Sequence, residues 1–109
     1  MKLKSTLNQI GVVAGVPLLF AGMVFAQNEA GDVYLDKCSV CHGPDGQGKT
    51  AKGRKLKVKS VKDTIAKQNE AEMIKIVTDG KGADMDGYKS QLSKDQIKTV
   101  VDYYRSLAK

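Results

Sequence analysis

Cys38-Ser39-Val40-Cys41-His42 concentrates the reactive side chains of the chain, since both cysteines and the single histidine lie within these five positions. On a helix the i, i+3 spacing puts the two sulfurs on one side, and the imidazole follows one residue later. Four chemistries compete for such a set. A structural zinc site wants four ligands, and Cys and His together supply three. A thioredoxin-like redox pair wants a βαβ context, which the sequence lacks. A disulfide between Cys38 and Cys41 is open to an exported chain, but it offers a thin core nothing to close around. In the fourth, each sulfur adds to one vinyl group of a haem, and His42 gives the iron its proximal nitrogen from the same side.

Three helical segments must position these groups, and no run alternates apolar and polar residues as a half-buried strand does. The first runs from about Glu29 to His42, with Val33, Tyr34, Cys38 and Cys41 as its less polar positions. The second starts near Asn69 with Glu72 as capping partner, buries Met73, Ile74, Ile76 and Val77, and stops at Gly80. The third follows the Ser93/Gln96 capping box and sets Ile97, Val100, Val101, Tyr104, Leu107 and Ala108 on one face. A weaker turn or short helix covers Val61 to Ala66. Between them lie the turn sequence from Gly43 to Gly48, the run Lys49–Lys62 with seven basic residues and no acid, and the Gly-rich stretch Gly80–Gln91 with Met85. Long loops in a short chain need something to pack against.

Size and charge narrow the function classes. The chain has 109 residues with 6% aromatics and no Trp, so one small domain with a thin core is expected. Lys2 and Lys4, an apolar stretch from Ile10 to Phe20 and the small-residue ending Val24-Phe25-Ala26 describe a secretory signal peptide over residues 1–26, cut after Ala26. An uncleaved anchor is the competing reading, but seventeen residues interrupted by Pro17 are short for a span. Cleavage removes two Lys and no acid from 18 basic and 12 acidic residues, leaving a net charge of +4 on residues 27–109. Such a chain is exported, where haem attachment through thioethers takes place. It is too small for a conventional enzyme with its own substrate pocket.

With these features, residues 29–109 resemble a small bacterial class I cytochrome c. The resemblance implies an all-α, cytochrome c-like fold of three main helices wrapped around one covalently bound haem c, with electron carriage as the activity. It implies that Cys38 and Cys41 are the thioether cysteines, His42 the proximal iron ligand and Met85 the distal one. Tyr34 matches the family's aromatic four residues before the first haem cysteine, and Tyr103 the aromatic of the C-terminal helix. The chain departs from the family in three places. Ala30, with Gly31 beside it, stands where a glycine allows a close helix crossing. Asp86, rather than proline, follows Met85. No proline near Leu56 offers its carbonyl to the His42 N–H, although a ligating imidazole normally donates its other N–H.

The remaining candidates each carry a plain alternative. Met85 could be an ordinary loop methionine, but it stands among Asp84, Asp86, Gly82 and Gly87 with no core pattern to serve, whereas Met73 belongs to a helix face. Tyr88 is expected to cover the haem edge, with a propionate as one partner for its hydroxyl, and Leu56 and Val58 to pack on the haem. The basic run is either a solvated face or a ring around the haem edge. The expectation is a periplasmic, soluble one-electron carrier with His42 and Met85 as axial ligands, shuttling between respiratory or photosynthetic redox partners with acidic docking surfaces. It is expected to be a monomer, without nucleic acid, small-molecule substrate or stable membrane insertion after cleavage, and not an enzyme. The rival is a haem-based sensor or peroxidase-like protein with a labile sixth ligand. A third reading is an electron-entry subunit held in a larger complex.

Overall fold

The computed structural model describes residues 29–109, so the expected leader lies outside the described residues. Helix α1 covers residues 29–37 and α2 covers Ser39–His42. The single helix expected from Glu29 to His42 is thus interrupted at Cys38, whose φ of −114° starts a second turn without a side-chain cap. After a glycine-rich turn come α3 (Ala51–Lys55) and α4 (Val61–Lys67), each with its first turn satisfied by a hydroxyl: Gly53 N–H donates to Thr50 and Asp63 N–H to Ser60. α5 (Glu70–Asp79) carries the complete Asn69/Glu72 capping box and α6 (Lys94–Ser106) the Ser93/Gln96 one, as the sequence predicts. Between them, β1 (Gly80–Lys81) and β2 (Met85–Asp86) form an antiparallel hairpin that pairs Lys81 with Met85. Among the described residues no helix is long and apolar enough to cross a membrane.

The core lies where α5 and α6 meet. Met73, Leu92, Ile97 and Val101 are buried together, and Val33, Ile74, Val77, Tyr88 and Tyr104 pack around them. An exposed charge cluster reinforces the same helix pair: Lys98 and Arg105 reach Glu70 at 3.7 and 3.6 Å, and Lys98 reaches Asp102 at 2.9 Å. α1 crosses α6 through small residues and aromatics. Ala30 is buried, and a side chain on Gly31 would meet the Tyr103 ring at 3.3 Å. The close approach therefore uses Gly31, one position later than the family pattern. Tyr34, 1% exposed, lies against both Tyr103 and Tyr104, with ring centres 5.3 and 6.0 Å away. This crossing fixes where α1 ends, and so where Cys38 begins.

Candidate functional site

The segment from Cys38 to His42 is held from three directions. The buried Tyr34 hydroxyl donates to the Gly43 carbonyl at 2.6 Å, and Gly48 N–H donates to the His42 carbonyl at 2.7 Å. From the third side, the Thr50 hydroxyl donates to the Val40 carbonyl at 2.6 Å. α3 then presses directly on this turn. A Cβ at Gly53 would collide with the Cys41 carbonyl and would come within 2.6 Å of the Gly48 carbonyl, so the position needs glycine for space. Gly48 itself has φ of +68° and backs onto the Val58 carbonyl, which rules out a side chain twice over.

The donor atoms held this way suit covalent and metal chemistry. Cys38 and Cys41 are free thiols, half-buried and not joined to each other. Burial pushes the Cys38 thiol up to about 11; Lys37 pulls it down and Cys41 pushes it up. Burial also lowers the His42 pKa, which keeps its ring neutral, the form that binds a metal. The ring meets Tyr104 edge-on, with centres 5.2 Å apart. His42 Nδ1 is enclosed and has no hydrogen-bond partner, the one buried side-chain nitrogen or oxygen in that state among the described residues. The acceptor that the sequence left unnamed is therefore not found there. Among the described residues no cluster of three or more His, Cys, Asp or Glu could hold a metal by itself. A neutral imidazole beside two free thiols fits a metal that arrives inside an organic macrocycle better than a bare ion.

These atoms open onto a cleft of about 570 Å³, within the usual range for a small-molecule or cofactor site. All six residues singled out from the sequence line it: Cys38, Cys41, His42, Leu56, Met85 and Tyr88. Met85, paired in the hairpin, faces the same space as His42, and the core methionine Met73 reaches the floor with Val100 and Val101. The Tyr88 hydroxyl donates to the Lys37 carbonyl at 3.2 Å. Tyr103, the aromatic picked out by resemblance, lies at the α1–α6 crossing against Gly31 and Tyr34, while Tyr104 lines the cleft and touches His42. No sequence pattern points to Thr64, which accepts from the Tyr104 hydroxyl at 3.3 Å, or to the tight seat for Gly53. Helical periodicity had already put Tyr104 on the buried face.

All seven basic residues of the run from Lys49 to Lys62 are exposed. Lys52, Lys57 and Lys59 stand at the cleft, joined there by Lys37, Lys67 and Lys81. Lys57 adopts a left-handed backbone, φ 59°, at the end of α3, a conformation that favours glycine.

Comparison with known proteins agrees with this geometry. The solved c-type cytochrome KustC0563 has a similar structure, with a TM-score of 0.67 and 27% sequence identity, over 73% of this chain and 98% of its own. No curated relative matches. The family model described as cytochrome C oxidase, cbb3-type, subunit III matches residues 26–103, which takes in every residue of the cleft except Tyr104. A mostly helical domain with this cleft and these similarities is a small mono-haem class I cytochrome c domain, whose cofactor is covalently bound haem c. By that family match, this chain belongs to the cbb3-type cytochrome c family.

Proposed function

We propose that this protein is a soluble, periplasmic one-electron carrier in which Cys38 and Cys41 hold haem c through thioethers and His42 and Met85 are the axial iron ligands. The observation that supports this reading is the cleft itself, which the two thiols, the neutral imidazole and a loop methionine line together. Bound haem supplies an iron that moves between ferric and ferrous states, one electron at a time. The chain's own residues keep that iron coordinated and dry. His42 is oriented by the clamps on its turn, so it needs little movement when the charge changes. The Met85 thioether favours the ferrous state and raises the potential. With His42 and Met85 both holding the iron, no position on it would be left for substrate or oxygen. Leu56 and Val58 supply apolar contact, and Tyr104 seals the edge next to His42.

Partners are redox proteins with acidic docking surfaces. The six lysines at the cleft, against three aspartates, support this, because a net positive rim steers an oppositely charged partner and releases it readily in salt. A signal peptide cleaved after Ala26 delivers the chain to the periplasm, where it works as a monomer. A second reading has an observation of its own: the matching family is described as an oxidase subunit, so the domain would be an electron-entry subunit.

Absorption spectra of the purified ferric and ferrous protein, with and without carbon monoxide, test the carrier. The expected ferric form is low-spin with the weak sulfur–iron band at the red end of the visible range, and the ferrous form ignores carbon monoxide. Rapid carbon monoxide binding with no sulfur band contradicts it and leaves the sensor or peroxidase-like reading. Recovery in the membrane fraction as part of a stable complex, rather than as a free monomer, selects the subunit reading.

A further inference from the structure

The loop that carries Met85 has little regular structure at its tip, and side chains fasten it to the first helix at one place. Its strands have two residues each, Gly80 and Gly82 sit at φ of +89° and +60°, and Gly82, Asp84 and Asp86 are exposed. A hairpin this short has little stability of its own. The fastening lies just after it and is reciprocal. The Tyr88 hydroxyl donates to the Lys37 carbonyl at 3.2 Å, and the Lys37 ammonium donates back to Gln91 Oε1 at 3.0 Å. Tyr88 and Gln91 belong to one turn, in which the N–H groups of Gln91 and Leu92 both donate to the Tyr88 carbonyl. Among the described residues these are the side-chain hydrogen bonds that join residues 80–92 to residues 29–42. Lys37 immediately precedes Cys38, and Tyr88 lies three residues after Met85.

We propose that Lys37, Tyr88 and Gln91 form a clasp that sets the span between His42 and Met85, and that Tyr88 is thereby a positioning residue for the sixth iron ligand. This rests on the reading of Met85 as that ligand. The Tyr88 ring packs against the α5–α6 core, so Tyr88→Phe keeps the packing and removes the O–H alone. The effect belongs to the ligand loop and not to the whole fold. Losing the clasp lets Met85 leave the iron more often, and an incoming ligand binds through that open form.

The test uses holoprotein and imidazole as the probe, in wild type, Tyr88→Phe, Gln91→Ala and Lys98→Ala. Lys98 belongs to the α5–α6 charge cluster and serves as a control for general destabilisation. Tyr88→Phe should bind imidazole faster by about twofold to tenfold, the equivalent of one neutral hydrogen bond. The lower end is expected, because 3.2 Å is long for a hydroxyl donor. The sulfur–iron band should fade at a lower temperature than helix content does. Gln91→Ala should act in the same direction, while Lys98→Ala lowers the melting temperature and leaves imidazole binding at the wild-type rate. If Tyr88→Phe matches wild type in both rate and band, or differs no more than Lys98→Ala, the clasp is overturned with Met85 ligation intact. If wild type itself lacks the band, the Met85 assignment fails and takes the clasp with it.

Discussion

The two walls of the cleft are made in opposite ways. Around His42 the chain is cross-braced by Tyr34–Gly43, Gly48–His42 and Thr50–Val40 hydrogen bonds, and Gly48 and Gly53 let backbone approach backbone with no room for a side chain. Around Met85 the tip has two-residue strands, exposed acids and one side-chain clasp, and close backbone packing is confined to the base, where Gly80 and Gly87 leave no room for a side chain and Tyr88 N–H donates to the Val77 carbonyl at 2.8 Å. In the folded protein the first segment keeps two sulfurs and an imidazole in fixed relation to one another, so its geometry is over-determined. The second has a single side chain to place. On the proposed reading, what separates a carrier from a protein with an open iron lies with the segment that carries Met85.

The largest break in this contrast comes from removing the attachment itself. Cys38→Ser with Cys41→Ser should yield a largely unfolded chain, because a domain of this size with few aromatics buries too little without a large apolar plate. Native helix content in the far-ultraviolet circular dichroism of the haem-free double variant would show that the fold does not depend on haem. Next come matched glycine changes on the two walls. Gly53→Ala should destabilise by about 3 kcal/mol through overpacking against the Cys41 and Gly48 carbonyls. Gly82→Ala meets nothing within 4 Å and bears only its left-handed backbone, about 1 kcal/mol. Denaturant melts of both variants check the ratio, and equal losses would remove the distinction between rigid and adjustable walls.

A change at the rim should act on rate and leave the walls alone. Lys52, Lys55 and Lys57 replaced by Glu should leave the absorption spectrum unchanged, while electron transfer to an acidic partner slows and loses its ionic-strength dependence. Stopped-flow rates at low salt measure this, and identical rates would make the basic run a solvated face. Lys57→Gly separates charge from conformation: it should also slow transfer, yet stabilise the fold by about 1 kcal/mol by relieving φ of 59°. The smallest effect lies away from both walls. A proton shared with the Glu70 carboxyl, and then donation from Lys98 at 2.9 Å, hold the Asp102 carboxyl below its usual 3.8. Its folded value is below its unfolded one, so the stabilisation is present above pH 3.8 and is lost as the pH falls further. Asp102→Asn should slightly flatten the acid side of the melting-temperature profile.

What could be read from the sequence was what is decided locally. The capping boxes of Asn69/Glu72 and Ser93/Gln96 each rest on side chains three residues apart, and α5 and α6 form where those residues put them. The five residues from Cys38 to His42 and the isolated Met85 were visible for the same reason, and both line the cleft. What escaped depends on neighbours distant in sequence. α3 arises within a basic run that lacks apolar periodicity, because Thr50 caps it and Gly53 seats it on Cys41. The helix break at Cys38 is set by the turn clamped beneath it. The family pattern puts the close crossing at Ala30, with Gly31 beside it, but the crossing depends on which position faces Tyr103, and that is Gly31. The Tyr88 hydroxyl found its acceptor fifty-one residues away, beyond any local pattern.

The identity of the sixth ligand tests the central claim most directly, and the two methionines at the cleft provide the comparison. Met73 is 4% exposed within the α5–α6 core, whereas Met85 sits on the adjustable wall. The measurement is the reduction potential, taken with the ferric absorption spectrum, of holoprotein carrying Met85→Ala or Met73→Leu near neutral pH. Met85→Ala should lose the sulfur–iron band, drop in potential and bind cyanide or carbon monoxide, while Met73→Leu keeps the band and stays closed to both ligands. A Met85→Ala protein with its band and potential intact would contradict the account.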